Sequence, residues 1–357
     1  MALTKVRTDG LTDDAVTTDK LYTPNLGRRN IVINGAMKVA QRGTNQPNRG
    51  NNDTGYYTVD RFHMAFAGST AGRLTMSQES ISDLSGFSKA IKLACTTADT
   101  SIAADEVALL EQKFEGQDLQ QLKKGTSDAE KVTVSFYVKG NAAATYTVEL
   151  EDNDNSRFAS QEFSVTTSWT KVTKTFVADT TGTLDDDNAV SLSLKFWFHG
   201  GSTYTGGTHT SNTWHTTTNA RLSDNQTSFF DSTSRTFFIT GLQMEVGEQA
   251  TPFEHRSFGE ELNLCRRYYY VNNSVDCCAY WDGGNAPTEN FIHPVQMRSA
   301  PSVSITRQSS DGNVNSITIR NITNNAFNFF FTSASSNAMQ NFGHNGNEAT
   351  YVAEAEL

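Results

Sequence analysis

Four stretches of this chain alternate apolar and polar residues with a period of two, which rules out an all-helical fold. "KVTVSFYVKG" sends Val132, Val134, Phe136 and Val138 to one side and Thr133, Ser135 and Tyr137 to the other. "TYTVELE" repeats the pattern with Tyr146, Val148 and Leu150. "AVSLSLKFWFHG" sets Val190, Leu192, Leu194, Phe196 and Phe198 against Ser191, Ser193, Lys195 and Trp197. In "TFFITGLQMEVG" the residues expected to share a face are Phe238, Leu242, Met244 and Val246. Alternation with a polar far side specifies antiparallel sheet, one face buried and one wet.

Weaker signals fill in the rest. "NIVINGAMKVAQRG" predicts a strand through Ile31 and Ile33 that turns at Asn34-Gly35, and "YYTVDRFHMAF" predicts another. Loops rich in Gly, Ser, Thr, Asn and Asp separate the strands. The single helix expected among them is "DLQQLKKG", stopped by Gly125. Many strands, polar turns and almost no helix make residues 30–257 a jelly-roll β-sandwich. "SFGEELNLCRRYYY" then predicts a linking helix over 258–271, with Ser257 as N-cap, Glu260 as its capping-box partner and arginines at the C-terminal end. Residues 272–357 form a small C-terminal β module with strands at "YYYVNNS", "SVSITR", "SITIRNIT", "AFNFFFT" and "TYVAEAEL". The whole is an all-β chain. Residues 1–29 are polar, with Thr12 able to cap a short helix, and read equally as a floppy terminus and as a peptide that orders only against a partner. No internal repeat is present.

Composition narrows the function classes. A length of 357 residues with 37% hydrophobic and 10% aromatic residues supports a sheet core. Twenty-nine basic against thirty-nine acidic residues give a net charge of −10, with no basic stripe, so no nucleic-acid partner is expected. No apolar run is long enough for membrane insertion, and "MALTKVRTDGLTDDAV" lacks a signal-peptide layout. Cys95, Cys265, Cys277 and Cys278 fit neither a disulfide framework nor a zinc site. They read as reduced small hydrophobes of a chain made in a cytoplasm.

Candidate chemistry is sparse. A sugar site uses flat rings with polar groups beside them. "CCAYWDGGN" offers Tyr280, Trp281 and Asp282; "NNDTGYYTVDRF" offers Tyr56 and Tyr57; "SNTWHTT" offers Trp214. Structural calcium would draw on the acidic turns "EDNDN" and "LDDDN", through Asp152, Asp154, Asp185 and Asp187. No other cofactor is expected. His199, His209 and His215 flank one loop but lack zinc spacing. Glycosidic cleavage needs two carboxylates roughly 5–10 Å apart across a cleft, which acid content alone does not signal. No phosphate loop, nucleophile elbow or HExxH pattern occurs, and the chain is not expected to be an enzyme.

Several motifs carry a family resemblance. "NIVINGAMKVAQRGT", "VDRF", "LEQKFEGQDLQQLKKGTSDAEKVTVSFYVKG", "TYTVELEDNDNSR", "TGLQMEVGEQATPFEHRSFGEELNLCRRYY", "PVQMRSAPSVSI" and "YVAEAEL" resemble, in order, tail-fibre and related virion proteins of tailed phages. The resemblance implies a jelly roll of the carbohydrate-binding type, a small β tip, homotrimers and adhesion to a host-surface glycan. It also implies that residues 1–29 attach to other virion proteins, and that Arg256 and Glu260 are interface or capping residues. Phe327 to Phe331 would be exposed on single chains and form the trimer contact. No shaft follows the leader, so a short fibre and a subunit decorating capsid or tail fit equally. A polysaccharide depolymerase is the competing reading.

Overall fold

The structure is a computed structural model and describes residues 28–275, 277–281, 288–306, 314–333, 338–342 and 349–357; at 274–275, 277–281, 288–289, 314–315, 331–333 and 338–342 it describes the backbone alone. Twelve strands come first: β1 (Asn45–Arg49), β2 (Gly55–Tyr56), β3 (His63–Ala67), β4 (Arg73–Ser80), β5 (Lys89–Thr97), β6 (Val107–Glu115), β7 (Val132–Gly140), β8 (Ala144–Asp152), β9 (Arg157–Val165), β10 (Thr170–Phe176), β11 (Val190–Gly200) and β12 (Thr236–Val246). They form two six-stranded antiparallel sheets, ordered β1-β4-β5-β12-β7-β10 and β2-β3-β6-β11-β8-β9. The chain crosses between the sheets at most connections. This is a jelly-roll sandwich, as the alternation predicts.

The inner faces meet in one core. Phe136 sits edge-on to Phe163 and Phe196, with centroids 5.1 and 5.0 Å away. Tyr146 makes the same contact with Phe198 and Phe237 at 5.2 and 5.7 Å. Edge-to-face pairs favour one arrangement of rings beyond their area burial, which fixes how the sheets align.

Three local expectations fail for identifiable reasons. Residues 30–37 form bends and turns instead of a strand. Buried Asn34, at φ +62°, donates to Val39 O (2.8 Å) and Asp60 O (3.1 Å) and accepts from Val39 N (3.0 Å). A Cβ on Gly35 would lie 2.0 Å from Leu242 O, so Asn-Gly serves here as a buried plug and not as a hairpin tip. "DLQQLKKG" makes two 3-10 turns, Gly116–Asp118 and Gln120–Leu122, ended by left-handed Lys123 before Gly125. In β12 the register slips between Thr240 and Gln243, where Gly241 adopts φ +61°. Phe237 and Ile239 therefore point inward before this bulge, and Leu242 and Met244 after it. Phe238 faces out, on the opposite side from the one its spacing suggests.

A short helix, α1 (Ser202–Thr205), lies in the loop after β11. The linking helix, α2 (Phe258–Arg266), has the expected capping box. Ser257 Oγ accepts from Glu260 N at 3.3 Å, and Ser257 N donates to Glu260 at 3.0 Å. It stops five residues short of the expected 271. Helical steps of about 100° would scatter Tyr268, Tyr269 and Tyr270 around the axis. The chain instead enters a strand, burying Tyr268 and Tyr269 under Arg61 and Arg42, at 3.5 and 3.6 Å from the ring centroids.

The C-terminal strands are β13 (Tyr269–Val275), β14 (Cys277–Trp281), β15 (Thr288–Ile292), β16 (Ser302–Thr306), β17 (Val314–Arg320), β18 (Ala326–Ser333), β19 (Ala338–Phe342) and β20 (Ala349–Glu354). They pair as β13-β20-β16, β14-β19 and β15-β18-β17. The segment after β20 is clasped to the sandwich. Arg61 pairs with Glu356, Arg42 reaches Glu354 (3.0 Å) and Glu356 (3.3 Å), and Tyr56 and Lys113 donate to Leu357 O at 3.1 and 3.2 Å. Arg267 and Tyr268 both bind the carboxylate of buried Glu115. Burial works to raise that carboxyl, but these partners outweigh it and hold it below its ordinary value.

Phe327 and Phe329 are not exposed on the single chain. They are buried in a second small core with Met297 and Tyr351, Phe291 packing against it. Phe330 is half-buried with Arg320 over its ring at 4.4 Å, and the side chain of Phe331 lies outside the described residues. Of the four cysteines, Cys95 and Cys265 are free and buried.

Candidate functional site: an aromatic cleft on the open sheet

The two outer faces of the sandwich differ. On the β2-β3-β6-β11-β8-β9 sheet, Trp197 is buried beneath Leu222 and Tyr204 of the loop after β11, with the Tyr204 ring 5.1 Å away. Beside it His63, Glu111, Lys195, Glu151, Arg221 and Glu149 form a ladder of buried and half-buried charges. This face is closed. The other sheet presents half-exposed rings to solvent.

There, a cleft of about 500 Å³ is lined by Phe87, Ser135, Tyr137, Lys171, Gly241, Pro252, Phe253 and His255, among others. Phe87 lies 5.5 Å from Tyr137, 5.1 Å from Phe253 and 5.4 Å from His255, centroid to centroid. The bulge makes this possible. A Cβ on Gly241 would come within 2.7 Å of Phe87 Cζ and 3.0 Å of Tyr137 Cδ2, so glycine is what lets both rings lie over β12. Gly241→Ala is expected to lose about 1–3 kcal/mol from positive-φ strain and overpacking, and to spread the rings. Chemical denaturation and the near-ultraviolet circular dichroism of the tyrosine would register both effects.

The platform continues along the sheet. Phe238 pairs in register with Lys92 on β5 and Lys139 on β7. Trp169 stands edge-on to Phe238 at 6.3 Å, and Lys139 Nζ lies 4.9 Å from the Trp169 centroid and 5.0 Å from that of Phe238. Trp169 Nε1 donates to Asp83 at 2.9 Å, which fixes the ring's orientation. Lys139, then Trp169, hold the Asp83 carboxyl below its ordinary value. In the cleft, burial and then the Lys38 ammonium push the His255 imidazole down, leaving it neutral at neutral pH. Half-exposed rings rimmed by lysines, a carboxylate and hydroxyls can pack sugar C–H faces while binding hydroxyl groups.

The residues expected from sequence are scattered. Tyr56 packs on His63 at 4.8 Å and is committed to the Leu357 oxygen, with burial first among the causes that raise its phenol well above the ordinary value. Tyr57 donates to Asp53, and burial followed by Asp53 pushes its phenol up to about 12. Trp214 donates to Val177 O at 2.9 Å and packs on the core. Tyr280 and Trp281 pair with Met339 and Ala338 through their backbones; their side chains, and Asp282, lie outside the described residues.

The acidic turns do not converge on a metal. Asp152 is buried against Lys124, whose Nζ also meets Asp179 (3.1 Å), Thr181 O (2.9 Å) and Gly182 O (3.0 Å). An ammonium thus occupies this oxygen cage. Asp154 accepts from Asp185 N (3.0 Å) and Asp187 from Ala189 N (2.8 Å), as turn caps. Among the described residues no three His, Cys, Asp or Glu side chains gather as metal ligands. His199 is buried between Glu106 (2.9 Å) and Ser228 (2.8 Å), His209 bonds Ser160, and His215 bridges to Phe158 through its backbone.

One signal for the cleft was legible. Tyr137 stands on the wet side of β7 among Thr and Ser, where a ring has no core to fill. Phe238 was concealed by the bulge, and Phe87, Phe253 and His255 arrive on loops that only the tertiary fold brings together.

No family model matches the chain, and no curated protein does. Among solved structures, a family 4 carbohydrate-binding module aligns at 11% identity and a TM-score of 0.31, over 60% of this chain and 97% of its own. A family 61 module in complex with β-1,4-galactotriose aligns at 9% and 0.32, over 61% and 99%. The enzymatically active domain of bacteriophage CBA120 tailspike protein 4 aligns at 8% and 0.32, over 61% of this chain and 21% of its own. The strand order in the structure itself establishes what the chain is at the level of fold: an all-β protein built on a jelly-roll sandwich.

Proposed function

We propose that this chain is a structural virion protein of a tailed phage, a short fibre-type subunit that holds the particle to a host-surface glycan without cleaving it. The observation that carries the reading is the solvent-open aromatic cleft formed by Phe87, Tyr137 and Phe253 and extended by Phe238 and Trp169. The ordered virion-protein motifs support the phage context. Sugar rings lie on the exposed aromatic faces, and Ser135, Asp83 and the lysines bind hydroxyl groups. Residues 1–29, nearly all outside the described residues, attach the subunit to other virion proteins. Homotrimers arrayed on a particle convert weak single contacts into avidity.

Affinity electrophoresis against host-surface polysaccharide tests the reading. Tyr137→Ala and Trp169→Ala are each expected to weaken retention roughly 10- to 30-fold, the effect of removing a binding hot spot of about 2 kcal/mol. Both rings are half-exposed, so thermal stability stays within about 1 kcal/mol of the parent. Release of reducing ends from the polysaccharide would establish a depolymerase instead. Retention by none of the host glycans would leave a decorating subunit without a host ligand. Sedimentation of the chain as a monomer at micromolar concentration would remove the trimer from the proposal.

A further inference from the structure

The chain carries a net charge of −10, yet its aromatic face is basic. Lys92 and Lys139 flank Phe238 in register, and Lys171 lies directly across from Tyr137. Two of the three have carboxylate neighbours. Lys139 pairs with Asp83, and Lys92 lies 3.5 Å from Glu79. Lys171 is exposed, lines the cleft, and meets no carboxylate among the described residues. Among the described residues no Asp or Glu lines the cleft; apart from the Tyr137 phenol, its ionisable groups there are Lys171 and His255. An acidic protein that keeps carboxylates out of one aromatic cleft and leaves a lysine there without a counter-ion has a site complementary to negative charge.

Resting on the reading of this cleft as a glycan site, we infer that it takes an acidic polysaccharide. A sugar ring packs against Tyr137 and Phe87, and the carboxylate of a uronate-type residue meets the Lys171 ammonium. The in-register Lys92–Phe238–Lys139 row repeats the pairing of ring and cation one row along the sheet. Because Asp83 and Glu79 already face those lysines, this row adds ring stacking, and Lys171 carries the charge preference. Neutral sugars gain the stacking but not the charge-assisted bond.

The test uses the full chain in native gels containing polygalacturonate, alginate, a neutral galactan or polyglutamate. Retention is expected with one or both uronates. It should fall at least tenfold in Lys171→Ala, be largely kept in Lys171→Arg, and weaken as salt is raised. Tyr137→Ala must lose it too, because the inference needs the ring as well as the charge. Equal retention by galactan and uronates, or no change in Lys171→Ala, overturns the acidic preference while leaving the glycan site standing. Equal retention by polyglutamate reduces the face to an ion exchanger and also overturns it. Failure of every polysaccharide, including the host's own, overturns the glycan reading itself.

Discussion

Lys124→Ala is expected to lower the stability of the sandwich by about 3–5 kcal/mol, the cost of breaking a buried ion pair from one side. The side chains of Lys124, Asp152 and Asp179 are only 5%, 0% and 4% exposed. Without the ammonium, Asp152 retains only Asn155 and Asp179 only Arg157 as side-chain partners. Burial already works to raise the Asp179 carboxyl, and the bonds from Arg157 and Lys124 hold it below its ordinary value. Losing one of them lets that carboxyl climb. The vacated space is bounded by two carboxylates and the carbonyls of Thr181 and Gly182, the kind of oxygen shell that calcium accepts. Millimolar calcium is therefore expected to recover part of the loss in Lys124→Ala and to leave the parent unchanged. Lys124→Met, which fills the same volume with an apolar stem, should stay destabilised with or without calcium. Urea titrations of the three proteins would decide; a cost below about 1 kcal/mol for the alanine variant would mean that the loops hold without the ammonium.

The second large effect is a pH dependence set by two buried carboxyls of opposite shift. Burial lifts Asp60 from 3.8 to about 6, against the bonds from Gln41 and the charge of Arg42 and with the charge of Glu356. A carboxyl raised in the folded state stabilises when protonated. Its contribution is complete below 3.8 and disappears as pH rises through 6, about 3 kcal/mol in all. For Glu111 burial again works upward, but His63, Lys195 and Lys113 bring it from 4.5 to about 2. Its contribution, also about 3 kcal/mol, is present above 4.5 and lost as pH falls through 2. The imidazoles of His215, His255 and His293, each lowered chiefly by burial, lose stability as pH falls below 6.5 and so oppose Asp60. The difference between parent and Asp60→Asn isolates the first carboxyl. The parent should lose about 3 kcal/mol relative to the variant between pH 3 and pH 7. Glu111→Gln should lose the acid limb in the same way. Parallel profiles for parent and Asp60→Asn would show that water reaches Asp60.

How much of this was legible in the sequence depended on whether a segment's surroundings were local. The strands β7, β8 and β11 could be read directly, because each keeps one face on a single core, β11 doing so despite two register shifts against β6. Trp197 still misled, since alternation puts it on the wet side and the loop that follows its own strand folds back to bury it. The strand β12 was read half correctly, because a single bulge inverts its facing at Gly241. Asn34-Gly35 looked like a hairpin tip because its buried partners, Val39, Asp60 and Leu242, are invisible to a local pattern. The cleft suffered the same limit. Tyr137 was visible on the sequence, but the rings that make it a site come from two separate connections, β4–β5 and the segment between β12 and α2.

The pairing of Arg61 with Glu356 also sets a clock. The two residues are 295 positions apart. At about 5–20 residues per second, a ribosome needs roughly 15–60 s to reach the second after finishing the first. Once β12 has emerged all twelve sandwich strands are present, but one guanidinium, 1% exposed in the complete fold, has no anion to meet until Glu356 follows. A buried charge without its partner disfavours closure of the sheet around it. Closure of the β2-β3-β6 corner is therefore expected to wait for the segment after β20. A chain truncated before Glu356 is expected to keep that corner loose and to be cut there by proteases faster than the 357-residue chain.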